Sequence, residues 1–154
     1  MPRQDLLWLF RSDRLDTVVM RGAARCDGEF DWTHESPLRL QRLNRWLIRH
    51  IRLHPDKLEP LLGPLWMTFR GLAHARLRRG CRTLSQGRVV VTERLHGHIM
   101  CVLLGIPHVV FDTWHGKVKA LYETWTTPCA FAQWGEDASD ALEKARRMLR
   151  ELPQ

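Results

Sequence analysis

The stretch VVVTERLHGHIMCVLLGIPHVVFD, residues 89–112, places two short β-branched runs on either side of an apolar segment that ends at a glycine. Such runs are typical of strands that are buried on both faces of a parallel sheet. Between them, Leu95, Ile99 and Val102 recur at helical spacing, and Gly105 follows as a helix stop. The stretch therefore predicts a strand, a helix and a second parallel strand, which restricts the chain to α/β architectures.

The rest of the chain continues this alternation of strands and helices. The predicted elements are strands over 6–10 and 16–20, a loop over 22–37, a helix over 38–53, a break over 55–64, a helix over 65–79, a short helix over 117–123, an edge strand over 130–132 and a closing helix over 136–152. Short strands alternating with longer helices indicate an α/β fold with a doubly wound, mostly parallel, Rossmann-like sheet. The 154 residues amount to a single domain, 1–154.

Polar residues 92–96 fall where a predicted strand ends and a helix begins. Ligands of α/β proteins bind at this edge of the sheet. Arg94 offers a rigid fork of donors that matches phosphate or carboxylate, and a helix start adds backbone N–H groups. An arginine in this place is about as often an ion-pair partner, here of Glu93 or Asp112. The residues alone leave both interpretations of Arg94 open.

Two histidines follow Arg94 closely. His96 is a candidate general acid because an imidazole exchanges protons near neutral pH. His98 lies two residues further on, so the two side chains point to different sides of a helix and cannot hold one metal ion together. We therefore predict no metal site, and we interpret His98 as a helix-packing or surface residue.

Motifs of several enzyme classes are absent. The chain has no GxGxxG, GxxxxGK[ST], GxSxG or HExxH, which sets aside dinucleotide, P-loop, serine-hydrolase and zinc-protease functions. It has no apolar run that would span a bilayer, and we expect no secretory signal. Its four cysteines are widely spaced, and we expect them to be free thiols. These features predict a cytoplasmic protein.

The predicted helix over 38–53 is strongly basic on one side. Its arginines are Arg39, Arg42, Arg45, Arg49 and Arg52. Such a face can simply be solvated, can bind an anionic membrane surface, or can follow nucleic acid phosphates. No recognition motif supports the last alternative, so we expect no nucleic acid partner.

The motifs TERLHGHIMCVLLGIPHVV, DTWHGKV and YETWT closely resemble the C-terminal part of the polysaccharide pyruvyl transferases, and LWLFRSD and DWT are similar to the beginning of that family's second domain. The resemblance covers residues from about 6 to 126. It implies the second of the two Rossmann-like domains of a GT-B-like enzyme. That family transfers the pyruvyl group of phosphoenolpyruvate onto sugar hydroxyls, usually as a ketal, in exopolysaccharide or cell-surface polysaccharide biosynthesis.

The resemblance also implies a site. Arg94 and His96, with the backbone of Leu95, would contact phosphoenolpyruvate, and Arg11 would do so from the end of the first strand. Lys117 is a further candidate for binding this substrate. His96 would be the catalytic residue, either as a proton donor or as a phosphate partner. Phosphoenolpyruvate enters as the donor substrate, and no cofactor is expected.

The chain departs from the family in three respects. Glu93 stands where the family often has Asp, residues 113–115 (Thr-Trp-His) replace the more usual Asn-Ser-Tyr, and only the second domain is matched. The expected partners are a sugar or lipid-linked oligosaccharide acceptor, an N-terminal domain on a partner chain, and an anionic surface at the inner face of the membrane. Three rival hypotheses remain: a non-catalytic or split half-domain that binds an anionic ligand or partner chain, one half of a sugar-nucleotide glycosyltransferase, and a basic module that binds nucleic acid or a membrane.

Overall fold

The computed structural model describes residues 2–10, 26–30, 39–112 and 116–153. Its elements are β1 (Gln4–Leu9), β2 (Gly28–Phe30), α1 (Arg39–Leu53), a 3-10 turn (Pro55–Lys57), α2 (Leu58–Leu84), β3 (Gly87–Thr92), α3 (Leu95–Leu104), β4 (His108–Val110), α4 (Lys117–Leu121), a π-helical turn (Tyr122–Thr126), β5 (Ala132–Trp134) and α5 (Ala138–Glu151). Arg11, the predicted strand over 16–20, and residues 31–33 and 113–115 lie outside the described residues.

The chain divides into two compact units, one of residues 1–33 and 81–154 and the other of residues 34–80. The first unit is built on a sheet whose five described strands are all parallel, in the order β2-β1-β3-β4-β5. Its composition of alternating strands and helices confirms the predicted α/β class. The assignment of 1–154 to one domain stays a prediction.

Helices cover both faces of the sheet. Successive side chains of a strand point to opposite faces, and because those of β1 are apolar on both sides, each face packs against a helix. Leu6, Trp8 and Phe10 pack in one core with residues of α5, and Trp8 lies edge-on to Phe111. Leu7 and Leu9 point the other way and pack in a second core with Cys101 of α3. This arrangement confirms the doubly wound fold that the sequence predicts.

The order of the strands reverses its direction at β1. From β1 the chain passes to β2 on one side and later enters β3 on the other, so that Leu7 is paired with both Gly28 and Val90. In an open parallel sheet a crevice forms outside the carboxyl ends of the two strands at such a switch point. The carboxyl ends of β1 and β3 are therefore the expected place for a ligand.

Three elements differ from the sequence-based expectations. Strand β5 occupies Ala132–Trp134, whereas the edge strand was predicted over 130–132. Strand β2 lies inside the predicted loop over 22–37, because its three residues gain their partners from β1 rather than from a local pattern. Helix α2 runs through the predicted break over 55–64. Pro60 stands in its first turn, where backbone N–H groups have no helical partner, and Pro64 removes one hydrogen bond from a helix of 27 residues.

The second unit is a hairpin of α1 and most of α2. Asn44 Nδ2 donates a buried hydrogen bond of 2.9 Å to Thr68 Oγ1. Gly71 allows a close approach of the two helices, because a Cβ atom there would lie 2.6 Å from Leu40 Cδ2. Residues 39–80 contain ten Lys and Arg against two Asp and Glu. Trp46 remains 55% exposed on this basic surface.

The burial of Leu9 in the second core predicts a large loss of stability for Leu9→Ala. Leu9 is fully buried, so its truncation should lower the free energy of unfolding by about 2–5 kcal/mol in a urea titration. Leu103→Ala is the matched control, because Leu103 is 79% exposed, and it should change this free energy by less than about 0.5 kcal/mol. Equal effects of the two substitutions would contradict the assignment of Leu9 to the core.

Candidate functional site

Arg94 lies at the switch point of the sheet. It follows β3 by two residues and is the N-cap residue of α3, with an extended backbone at φ −95° and ψ 122°. Its Nε donates a hydrogen bond of 2.8 Å to the carbonyl oxygen of Phe10, directly after β1. The half-buried guanidinium is thus held at the carboxyl ends of both central strands. An anchored guanidinium there is well suited to binding a phosphate or carboxylate.

The first turn of α3 approaches the strand ends closely. The Thr92 hydroxyl donates to the carbonyl oxygen of Leu9 at 3.1 Å and accepts the backbone N–H of Arg94 at 3.0 Å. Gly97 faces these groups, and a Cβ atom there would lie 2.6 Å from Leu9 Cδ2 and 2.8 Å from Thr92 Oγ1. A glycine is therefore required for this packing. It brings the N–H groups and the positive dipole end of α3 to the crevice.

Leu95 and His96 form the beginning of α3. Leu95 is half-buried, whereas His96 is exposed to solvent at the second position of the helix. A side chain in this place is accessible to a ligand that binds at the helix start. The structure therefore places the predicted residues Arg94, Leu95 and His96 in one continuous turn at the crevice.

Lys117 begins the short helix α4 and is exposed. Asp112 follows β4, and its carboxylate accepts the backbone N–H groups of Val118 at 3.0 Å and Lys119 at 3.3 Å. Gly116 precedes the helix with a positive φ of 65°, which favours glycine. Asp112 therefore fixes the Gly-Lys turn at the carboxyl end of β4, the strand next to β3. Arg11, the remaining predicted residue, lies outside the described residues.

His98 points away from His96 and is fully buried. Its Nδ1 lies 2.7 Å from Nε2 of His108, and its Nε2 lies 2.8 Å from the hydroxyl of Thr126. His108 Nδ1 in turn lies 2.8 Å from the carbonyl oxygen of Ile106. The helix-packing interpretation of His98 therefore describes its position. Its pairing with His108 was missed, although a histidine within a buried strand signals a buried polar partner.

Burial keeps both histidines neutral. Desolvation, followed by the proximity of His108, lowers the pKa of His98 from 6.5 to about 4. Desolvation likewise lowers the pKa of His108 to about 4, against the opposing effect of its hydrogen bond to the Ile106 carbonyl. Neutral rings fit the contacts, since each ring can donate from one nitrogen and accept at the other.

Other types of site are not apparent in the part of the chain that the structure describes. No group of three His, Cys, Asp or Glu in that part could hold a metal ion. Over the same residues, no helix has the length and apolar character needed to cross a membrane. The four cysteines are all free thiols, and Cys101 is buried, which raises its pKa to about 12.

Comparison with known proteins identifies two matches. Residues 30–115 match the family model described as polysaccharide pyruvyl transferase. The chain is also 35% identical over 85 residues to a protein named Pyruvyl transferase 1 from Schizosaccharomyces pombe, and this alignment covers 54% of the chain and 21% of that protein. The matched part thus spans about a fifth of the relative's length. The segment matched by the family model contains the turn Arg94-Leu95-His96.

The packing of Gly97 predicts unequal effects on stability for two glycine substitutions. Gly97→Ala should lower the free energy of unfolding by about 1–3 kcal/mol, because the added Cβ collides with Leu9 and Thr92. Gly63→Ala is the matched control within α2, where nothing besides the chain neighbours and the helix's own backbone lies within 4 Å of an added Cβ. It should change this free energy by less than about 1 kcal/mol, because contact with the ring of Pro64 offsets the higher helix propensity of alanine. Thermal or urea unfolding measures both; a stabilising Gly97→Ala would contradict the described packing.

Because the buried histidines have lowered pKa values, we expect the free energy of unfolding to fall as the pH is lowered. The native pKa of each ring, about 4, is below the unfolded value of 6.5, so the unfolded chain binds more protons between these values. The stabilisation is present above pH 6.5 and is lost as the pH falls toward 4. We expect a loss of the order of a few kcal/mol in urea titrations between pH 7.5 and 4.5. A stability that is constant or rises over this range would contradict the neutral pair.

Proposed function

Because the chain belongs to the polysaccharide pyruvyl transferase family, we propose that it carries the phosphoenolpyruvate-binding part of an enzyme that transfers a pyruvyl group onto sugar hydroxyls. The observation that carries this proposal is the position of Arg94. Its guanidinium is anchored to Phe10 at the switch point of the sheet, directly before the exposed helix start that bears His96. Phosphoenolpyruvate carries a phosphate and a carboxylate, which require such donors.

The turn Arg94-Leu95-His96 offers complementary groups to this substrate. Arg94 would hold one anionic group with its fork of donors, and the N–H groups at the start of α3 would hold the phosphate. Lys117, fixed by Asp112 at the end of the neighbouring strand, would neutralise further negative charge. Arg11, which follows Phe10 in the sequence, would approach from the end of β1. The strand ends thus supply cationic groups to one edge of the sheet.

The reaction itself needs a proton at C3 of phosphoenolpyruvate, which makes C2 electrophilic. A sugar hydroxyl then attacks C2 and loses its proton, and the bond from C2 to the phosphate oxygen breaks. A second hydroxyl attacks C2 and loses its proton, which closes the ketal; of the two protons released, one balances the proton gained at C3 and the other is taken up by phosphate. His96 is exposed at the helix start, where it would act either as the proton donor or as a phosphate partner. No cofactor is needed for these steps, because phosphoenolpyruvate supplies both the carbon skeleton and the leaving group.

We propose that the acceptor is a sugar or lipid-linked oligosaccharide in the biosynthesis of an exopolysaccharide or another cell-surface polysaccharide. The enzyme would work in the cytoplasm, at the inner face of the membrane. The basic helix α1, with its arginines and the exposed Trp46, is suited to an anionic lipid surface there. Since the match spans about a fifth of the relative's length, an N-terminal domain would complete the cleft.

Calorimetric titration of phosphoenolpyruvate into the chain and into Arg94→Ala tests the donor site. We expect saturable binding that weakens about tenfold to a hundredfold in Arg94→Ala, the effect of losing charge-assisted hydrogen bonds. Arg88→Ala is the matched control: it removes the same charge from β3, but near the amino end of the strand, where Arg88 pairs with Asp5 at 3.3 Å. This control should retain its affinity within about twofold.

The same titrations at low and high salt distinguish binding at a specific site from nonspecific binding to a basic surface. Equal weak binding by Arg94→Ala, Arg88→Ala and the unmodified chain, falling steeply with salt, would contradict the proposal. Protection by a nucleotide-sugar and not by phosphoenolpyruvate would favour the glycosyltransferase alternative. Binding without transfer, until a separate N-terminal domain is added, would assign the chain to a split enzyme.

A further inference from the structure

The buried contacts of His98 form a chain of hydrogen bonds with one direction. A carbonyl oxygen can only accept, so His108 Nδ1 donates to Ile106, and the other nitrogen of this neutral ring accepts. His98 Nδ1 therefore donates to His108 Nε2, which leaves His98 Nε2 as an acceptor for the hydroxyl of Thr126 at 2.8 Å. The carbonyl oxygen of Tyr122 lies 3.3 Å from the same hydroxyl and is the more distant acceptor for its proton. Each group has one role in this chain, and a change at one end affects the role of its neighbours.

This chain of hydrogen bonds connects the elements that carry the candidate ligand groups. His98 belongs to α3, and its backbone N–H donates to the carbonyl oxygen of Arg94 at 2.9 Å, which closes the first turn of that helix. His108 belongs to β4. Thr126 ends the π-helical turn that continues α4, the helix that Lys117 begins. The side chain of His98 thus links the turn of Arg94 to the helix of Lys117.

We propose that His98 is a positioning residue, which acts through His108 and Thr126 to hold the Arg94-Leu95-His96 turn in a fixed place relative to Lys117. Both ends of this connection would then meet the same anionic ligand in one geometry. The inference rests on the proposed function, since it requires that this turn binds phosphoenolpyruvate. The proposal assigns one shared role to two histidines: His98, the second histidine of the RLHGH motif (residues 94–98), and His108, the histidine of the GIPH motif (residues 105–108).

A buried polar chain could also serve only to stabilise the fold, so the test must separate affinity from stability. Thr126→Val removes the hydroxyl that donates to His98 and keeps the size of the side chain. Thr68→Val makes the same change at a second buried threonine, whose hydroxyl accepts from Asn44 within the helical hairpin. Thr126→Ser retains a hydroxyl at the first position and tests for rescue.

We expect Thr126→Val to weaken the binding of phosphoenolpyruvate about threefold to tenfold in calorimetry, with recovery in Thr126→Ser. Thr68→Val should bind like the unmodified chain, even where its midpoint of thermal unfolding falls by a similar amount. In 15N-labelled protein, Thr126→Val should shift the ring nitrogen signals of His98 and the backbone amide signals of Leu95 and His96. Thr68→Val should leave these signals unchanged.

The outcomes distinguish this inference from the proposed function. If the unmodified chain does not bind phosphoenolpyruvate, both are overturned. If the unmodified chain binds and Arg94→Ala does not, but Thr126→Val binds as well as Thr68→Val, only the positioning role of His98 is overturned. Equal weakening by Thr126→Val and Thr68→Val would also overturn it, because the effect would then follow stability alone.

Discussion

The hydroxyl of Thr92 is the contact on which the candidate site depends. It joins three pieces of backbone at one point, since it donates to the end of β1 and accepts from the N-cap residue of α3, while its own backbone ends β3. Thr92 is fully buried, so water does not compete for these hydrogen bonds. Arg94 adds a second connection to Phe10. These contacts fix the backbone at the carboxyl ends of β1 and β3, where the crevice is expected.

The RLHGH motif divides its two histidines between different environments. His96 is exposed at the helix start. His98 lies on the opposite, buried face of the helix, where desolvation lowers its pKa and keeps it neutral. Gly97 between them makes the separation feasible, because its missing side chain lets the helix lie against Leu9. One turn of helix thus presents a solvent-accessible imidazole to the crevice and a second imidazole to the interior.

The sequence predicts the fold well where its pattern is local. The β-branched run before Thr92 and the helical spacing that stops at Gly105 both reflect short-range preferences, and Gly105 adopts a positive φ of 64° at the end of α3. Strand β2 was missed because its pairing is supplied by β1. Arg94 and His96 were candidates because a strand end and a helix start are visible in the sequence, whereas Leu95 was added by the family resemblance. The contact between His98 and His108 depends on packing across β4, which spacing along the chain does not encode.

The π-helical turn Tyr122–Thr126 constrains how this segment can change in length. The backbone N–H of Thr127 donates to the carbonyl oxygen of Tyr122, five residues earlier, at 2.9 Å, so the turn holds one residue more than an α-helix would. Winding the same residues as regular α-helix would rotate the following side chains by about 100° around the axis. The hydroxyl that meets His98 would then leave the interior. A related sequence that is one residue shorter here should accordingly have a regular α-helical turn, with its hydroxyl in the same place.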